Sequence, residues 1–196
     1  MKSIILASQS PRRKQLLEQA GVAFNIVPAH IDETPYLSYP PSDAVKASAQ
    51  AKADQVCNQF PEHWVIAADT IVVINNNILG KPESKNHARK MLQTLSGKAH
   101  IVFTGFSICC LEQNKNITDI VKTSVQFKQL CDDEIEWYLQ TDEPYDKAGA
   151  YAIQGIGAFI VKSIDGSYTN VVGLPVCEVM DILMKQNIIK RKSNEY

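Results

Sequence analysis

Two arginines, two lysines, two acids and a glycine-rich loop are the residues of this 196-residue chain that could do chemistry together. The stretch ASQSPRRKQLLEQAG, from Ala7 to Gly21, follows a short apolar run, SIILA, that predicts a strand. Ser10-Pro11 predicts a helix start. Ser is a preferred N-cap, and Pro tolerates the first helical position because its missing N–H would be unpaired there anyway. Gly21 is the matching stop. Arg12 and Arg13 then fall in the first helical turn, at the positive end of the helix dipole, where a cation costs about 0.3–1 kcal/mol. Ligand phosphates would offset that cost, because helix N-termini and guanidinium groups both attract them.

The other reactive types sit in settings that each allow two readings. Lys52 shares a helix face with the apolar stripe Val45, Ala49, Ala53, Val56 and Phe60. It either snorkels, with its stem on the core and its amine in water, or aims into a cleft. Asp69 interrupts the apolar run WVIAADTIVVI. A carboxylate there must be paired, hydrogen-bonded or on a metal; strand-end acids in α/β sheets also border ligand crevices. Lys81 stands between Gly80 and Pro82 in ILGKPES, and Glu33 lies in HIDETP. Each is a solvated loop charge or a ligand-facing one. The segment DEPYDKAGAYAIQGIGAF (Asp142–Phe159) is dense in glycine. It matches neither the Walker phosphate loop nor a spaced G-x-G-x-x-G. Within it Gln154 either reads the edge of a base through its amide or caps a turn.

Other chemistries fit less well. The four histidines are scattered without metal-ligand spacing, which argues against zinc. No G-x-S-x-G elbow supports a serine triad. Oxygen ligands such as Asp69 and Glu33 suit Mg²⁺ or Mn²⁺ instead. Summed, the inventory describes a polyphosphate site with a divalent ion.

These residues need a scaffold. A chain that is 45% hydrophobic and 21% charged fits one globular domain over residues 1–196. A net charge of −1 argues against a general binder of nucleic-acid polymers or anionic membranes. The basic end Lys190-Arg191-Lys192 reads as a solvated tail. MKSIILAS is too short and too soon interrupted to be a signal peptide, and no apolar run approaches the roughly 20 residues of a membrane span. Five cysteines without a C-x-x-C pair predict buried thiols in a reducing cytoplasm. Strands are expected at Ser3–Ala7, Phe24–Val27, Trp64–Ile74, His100–Leu111, Ile117–Phe127 and Ala158–Ile164. Helices are expected over Ser10–Gly21, Ser42–Gln59, Ser84–Leu95, Asp132–Thr141 and Leu174–Gln186, and Thr34–Asp43 reads as an ordered loop. Alternation of the two makes an α/β domain, and the hairpin expected around Gln113–Asn116 makes its sheet mixed.

The chain resembles the Maf family of nucleoside triphosphate pyrophosphatases over almost its whole length. The motifs are ASQSPRRKQLL, IDET, VIAADTIV, LGKP, MLQTLSGKAH, DEPYDKAGAYAIQG and IDGSYTNVVGLP. Three places resemble the dTTP/UTP type rather than the 7-methyl-GTP type. SPRR stands where the latter has SPWR, AADT where it has a Ser-Asp-Gln pattern, and DKAGAYAIQG where it lacks the Ala-Tyr and Ile-Gln-Gly elements. Ala152 departs from the glycine common between Tyr and Ile. The resemblance implies Asp69 as catalytic acid/base and Arg12, Thr70 and Gln154 as substrate-selecting positions. It further implies Ser8, Arg13, Glu33, Lys52 and Lys81 as active-site positions, with Glu33 and Asp69 on a divalent metal. The implied fold is a long curved mixed sheet flanked by helices, with two lobes around a cleft, similar to the inosine triphosphate pyrophosphatase fold. Homodimers are common in the family. A non-catalytic nucleotide-binding regulator of cell division is the alternative from another functional class.

Overall fold

A computed structural model describes residues 3–189; Lys190-Arg191-Lys192 lies outside the described residues. The apolar runs form β1 (Ile4–Leu6), β2 (Phe24–Ile26), β3 (Trp64–Ile74), β4 (Asn77–Leu79), β5 (Ala99–Cys110), β6 (Lys115–Phe127) and β7 (Val161–Asp165). One sheet takes all seven in the order β2-β1-β3-β5-β6-β7, with β4 paired to β3 beside that path. β1 runs parallel to β2 and β3, and the other pairings are antiparallel. The helices are α1 (Pro11–Gln19), α2 (Pro41–Gln59), α3 (Lys85–Leu95), α4 (Asp132–Tyr138), α5 (Tyr168–Val172) and α6 (Val176–Lys185). This is the mixed sheet flanked by helices expected above.

Side-chain alternation along β3 sorts its residues onto two faces. On one face, Trp64, Ile66 and Ala68 pack with Leu6, Phe106 and Leu183. Further along the same face, Val72 and Ile74 pack with Leu92, Val102 and Phe127. Thr70 lies between these two clusters, and a polar seam runs from it across the sheet. Thr70 and Thr104 are register partners whose hydroxyls lie 2.9 Å apart. Thr104 donates to the Asn170 carbonyl at 3.0 Å. The Asn170 amide donates to Thr123 Oγ1 at 2.9 Å and to the Val102 carbonyl at 3.2 Å. Thr104, Thr123 and Asn170 are fully buried, so these bonds satisfy groups that water cannot reach. The seam divides the apolar packing of this face into two clusters.

The opposite face of β3 carries Val65 and Ala67, covered by Ala53, Val56 and Cys57 of α2. Here the expectation of five free thiols is corrected. Cys57 and Cys109 are joined by a disulfide that ties α2 to β5. Their places on the helix stripe and on the facing strand bring them together across 52 residues of chain, a proximity that spacing does not reveal. Cys110 is a buried thiol, while Cys131 and Cys177 are exposed. The cysteine count therefore carries no argument for a reducing compartment.

Local departures have local causes. β4 is a three-residue strand returned by a tight turn at Asn75 and Asn76, both at positive φ, where asparagine is tolerated. α5 forms in a β-branched stretch because Ser167 accepts the Asn170 amide as its cap and the Asn170 side chain enters the seam. The strand expected from Ala158 begins only at Val161, after a 3₁₀ segment over Gly155–Ile160. Thr34–Ser38, inside the expected loop, is also 3₁₀.

Candidate active site

β1 pairs with Trp64–Ile66 of β3, and β4 pairs with Val72–Ile74. The intervening part of β3 has no strand on that edge. A cleft of about 650 Å³ opens there, beyond the carboxyl end of parallel β1, the place where α/β sheets present ligands. Each of the nine residues singled out in the sequence lines it.

Arg13, on the first turn of α1, turns back toward the sheet. Its Nε donates to the Gly173 carbonyl at 2.8 Å. Nη1 donates to Ser8 Oγ and Nη2 to Thr70 Oγ1, each at 3.2 Å. Burial pushes the guanidinium below its ordinary value, while the Asp69 carboxylate acts the other way. Ser8 Oγ also accepts the Ser10 amide at 3.2 Å. Ser10 holds the N-cap position, but its own side chain makes no capping bond. The Gly173 carbonyl that orients Arg13 follows α5, so the seam under α5 bears on the position of this cation.

Lys52 resolves its two readings. Its ammonium enters the cleft and contacts Asp69 Oδ1 at 2.8 Å and Glu33 Oε1 at 2.7 Å. Its side chain is 12% exposed and that of Asp69 18%, against 56% for Glu33. Asp69 and Thr70 are consecutive on β3, so they project to opposite faces: Asp69 toward α2 and Thr70 into the seam. Arg12 reaches across the cleft to Asp146 Oδ2 at 3.3 Å. Lys81 is exposed at the rim. Gln154 lines the wall, and its amide has no hydrogen-bond partner among the described residues.

Asp146 and Lys147 were not singled out in the sequence, although they lie within the quoted DKAGAY motif. Lys147 also lines the cleft, contacts the Asp146 carboxylate and donates to the Glu143 carbonyl at 2.7 Å. The acid-base pair at adjacent positions was the available signal. Asn170 gave none, because a buried asparagine cannot be told from a loop asparagine by type.

Among the described residues no group of three or more His, Cys, Asp or Glu comes together as a metal cage. Glu33 and Asp69 supply two carboxylates already arranged around one cation, the Lys52 ammonium. That donor set fits Mg²⁺ or Mn²⁺, which commonly take one or two carboxylates and complete their shell with phosphate oxygens and water.

The cleft wall is braced from behind. Tyr151 lines it, and its hydroxyl lies 2.8 Å from Nε2 of the buried His100. His100 Nδ1 has no hydrogen-bond partner among the described residues, and burial pushes the imidazole down to about 4. A base whose folded pKa lies below its unfolded value contributes stability fully above pH 6.5, losing it as pH falls toward 4. The loss attributable to His100 is about 3 kcal/mol. Thermal midpoints measured from pH 7 to pH 4 are expected to fall more steeply for the wild type than for His100→Gln; equal slopes would remove His100 from this role.

Fold and site together define an α/β protein whose cleft, beyond the carboxyl end of a parallel strand, gathers cationic side chains and two carboxylates. The Maf-like protein family model matches residues 3–186, and the chain belongs to that family. It is 48% identical over 188 residues to a dTTP/UTP pyrophosphatase of Geotalea uraniireducens, covering 96% of this chain and 97% of that one. It is 49% identical over 183 residues to a dTTP/UTP pyrophosphatase of Halalkalibacterium halodurans, covering 93% and 95%. The fold is shared with the Ham1 protein of Staphylococcus aureus, with a TM-score of 0.55 and 12% identity over 94% of this chain and all of that one.

Proposed function

We propose that the protein hydrolyses dTTP and UTP to the monophosphate and pyrophosphate. The observation that carries this reading is the convergence of Arg13, Lys52, Asp69 and Glu33 in one cleft of a chain nearly half identical to dTTP/UTP pyrophosphatases. Arg12, Arg13, Lys52 and Lys81 bind the phosphates, with Ser8 and Thr70 holding the Arg13 fork in plane. Asp69 orients the water that attacks the α-phosphorus and takes its proton. Lys52, paired to Asp69, fixes that carboxylate and then faces the phosphoryl charge. Gln154 presents its unpaired amide to the base edge. Glu33 and Asp69 would hold a divalent ion, which when bound neutralises charge on the departing pyrophosphate. Most of the rate comes from positioning and electrostatic stabilisation, as in other phosphoryl transfers.

No helix among the described residues is long and apolar enough to cross a membrane. A homodimer is the assembly that the family resemblance supports. The deciding experiment is pyrophosphate release over a panel of nucleoside triphosphates with Mg²⁺, Mn²⁺ or chelator. Release from dTTP and UTP that the chelator stops is expected. Preference for 7-methyl-GTP, or nucleotide binding without turnover, would overturn the reading.

A further inference from the structure

The glycine-rich run Gln154-Gly155-Ile156-Gly157 has the composition of an anion cradle and matches no nucleotide loop. It does cradle an anion, and that anion belongs to the chain itself. The Ile156 amide donates to Glu143 Oε2 at 3.0 Å, and the Gly157 amide to Glu143 Oε1 at 2.7 Å. The buried Tyr138 hydroxyl donates to the same Oε1 at 2.8 Å and accepts the Ala152 amide at 3.2 Å. The loop is thus pinned two residues before Gln154, and two and three residues after it.

The glycines follow from this grip. Gly155 sits at φ +67°, and a Cβ there would strike the Glu143 carboxylate. A Cβ at Gly157 would fall 2.6 Å from the Tyr138 hydroxyl and 2.5 Å from the Ala152 carbonyl. With the amides already engaged by Glu143, they are not the phosphate-binding part of the cleft. What the pinned loop offers the cleft is the side chain at its crest, the unpaired amide of Gln154.

We propose that Glu143 and Tyr138 are positioning residues for substrate selection, holding the Gln154 loop so that its amide meets a pyrimidine base edge at a fixed place. This inference rests on the pyrimidine triphosphate reading above. A preorganised amide discriminates between bases because the wrong edge leaves it unpaired. A loop free to move loses that discrimination while keeping the phosphate contacts.

The test compares kcat and KM for UTP and GTP in Glu143→Gln and Tyr138→Phe, each in the wild-type and Gln154→Ala backgrounds. Glu143→Gln puts an NH₂ against a backbone amide, so one pin is lost at nearly constant volume. Its UTP-over-GTP ratio of kcat/KM is expected to fall on the order of tenfold, mainly through KM for UTP. Tyr138→Phe, which keeps the ring, is expected to lower the ratio about threefold and serves if Glu143→Gln does not fold. In the Gln154→Ala background neither change should lower the ratio further, because residues acting through one another are not additive. A wild-type ratio retained by both variants overturns the inference, as does a full additional loss in the Gln154→Ala background. A wild type with no UTP preference overturns the functional reading and the inference together; a preference that survives both substitutions overturns the inference alone.

Discussion

Asp69→Asn is expected to lower kcat for UTP by about a thousandfold, within the 10²–10⁴ range of a positioned general base. The substitution keeps the shape of the side chain and leaves Oδ1 able to accept from Lys52, which retains Glu33 as its second partner. It removes the negative charge and the capacity to take a proton from water. KM should therefore change little, and the thermal midpoint should stay within a few degrees, since the site lies at an open strand edge and Asp69 belongs to none of the three apolar clusters. Single-turnover kinetics and thermal unfolding on the same preparation check both halves. Retained turnover would remove Asp69 from the chemical step, and loss of folding would make it a structural acid.

Arg13→Lys is expected to lower kcat/KM by roughly 10²–10³ for every triphosphate without changing the preference among bases. The guanidinium uses Nε, Nη1 and Nη2 on three different acceptors: the Gly173 carbonyl, Ser8 and Thr70. An ammonium is one donor centre at the end of a flexible stem and cannot occupy all three directions. It also leaves acceptors in a buried place without donors, which costs about 1–3 kcal/mol of stability. Steady-state kinetics on UTP and GTP, with urea unfolding, distinguish this from a base-selecting role. A loss confined to UTP, or a loss below about threefold, would contradict the assignment.

The sequence was most legible where one property sufficed. Apart from Asp69 and Thr70, the 11 residues of β3 are apolar and mostly β-branched, and they form the strand with the expected ends. The stripe of α3, Ala88, Met91, Leu92 and Leu95, is its buried face. At the site, residue types named the chemistry, and the resemblance named the positions. Contacts between distant segments were less legible. That Lys52 meets Asp69 depends on α2 crossing the face of β3 to which odd-numbered residues point. That Arg13 is held by Gly173, 160 residues away, depends on where a five-residue helix docks. Neither partner announces itself by type, since one is a backbone carbonyl. The Cys57–Cys109 bond is hidden for the same reason, and the grip of Glu143 on the Gln154 loop runs through backbone amides, which residue type does not reveal although both lie in the glycine-dense segment.

The threonine and asparagine seam has a consequence for how the sheet aligns itself. β3, β5 and β6 are 11, 12 and 13 residues long and rich in Val and Ile. A slip of one residue would turn their apolar sides outward, and burial forbids it. A slip of two would keep every side chain on its proper face, and interchangeable aliphatic residues would tolerate it. Thr70, Thr104 and Thr123 would not, because each hydroxyl would then face hydrocarbon and Asn170 would lose its acceptor on Thr123. The seam works as a set of keyed teeth that admits one alignment. Asp69, one residue from Thr70, inherits its place in the cleft from that alignment.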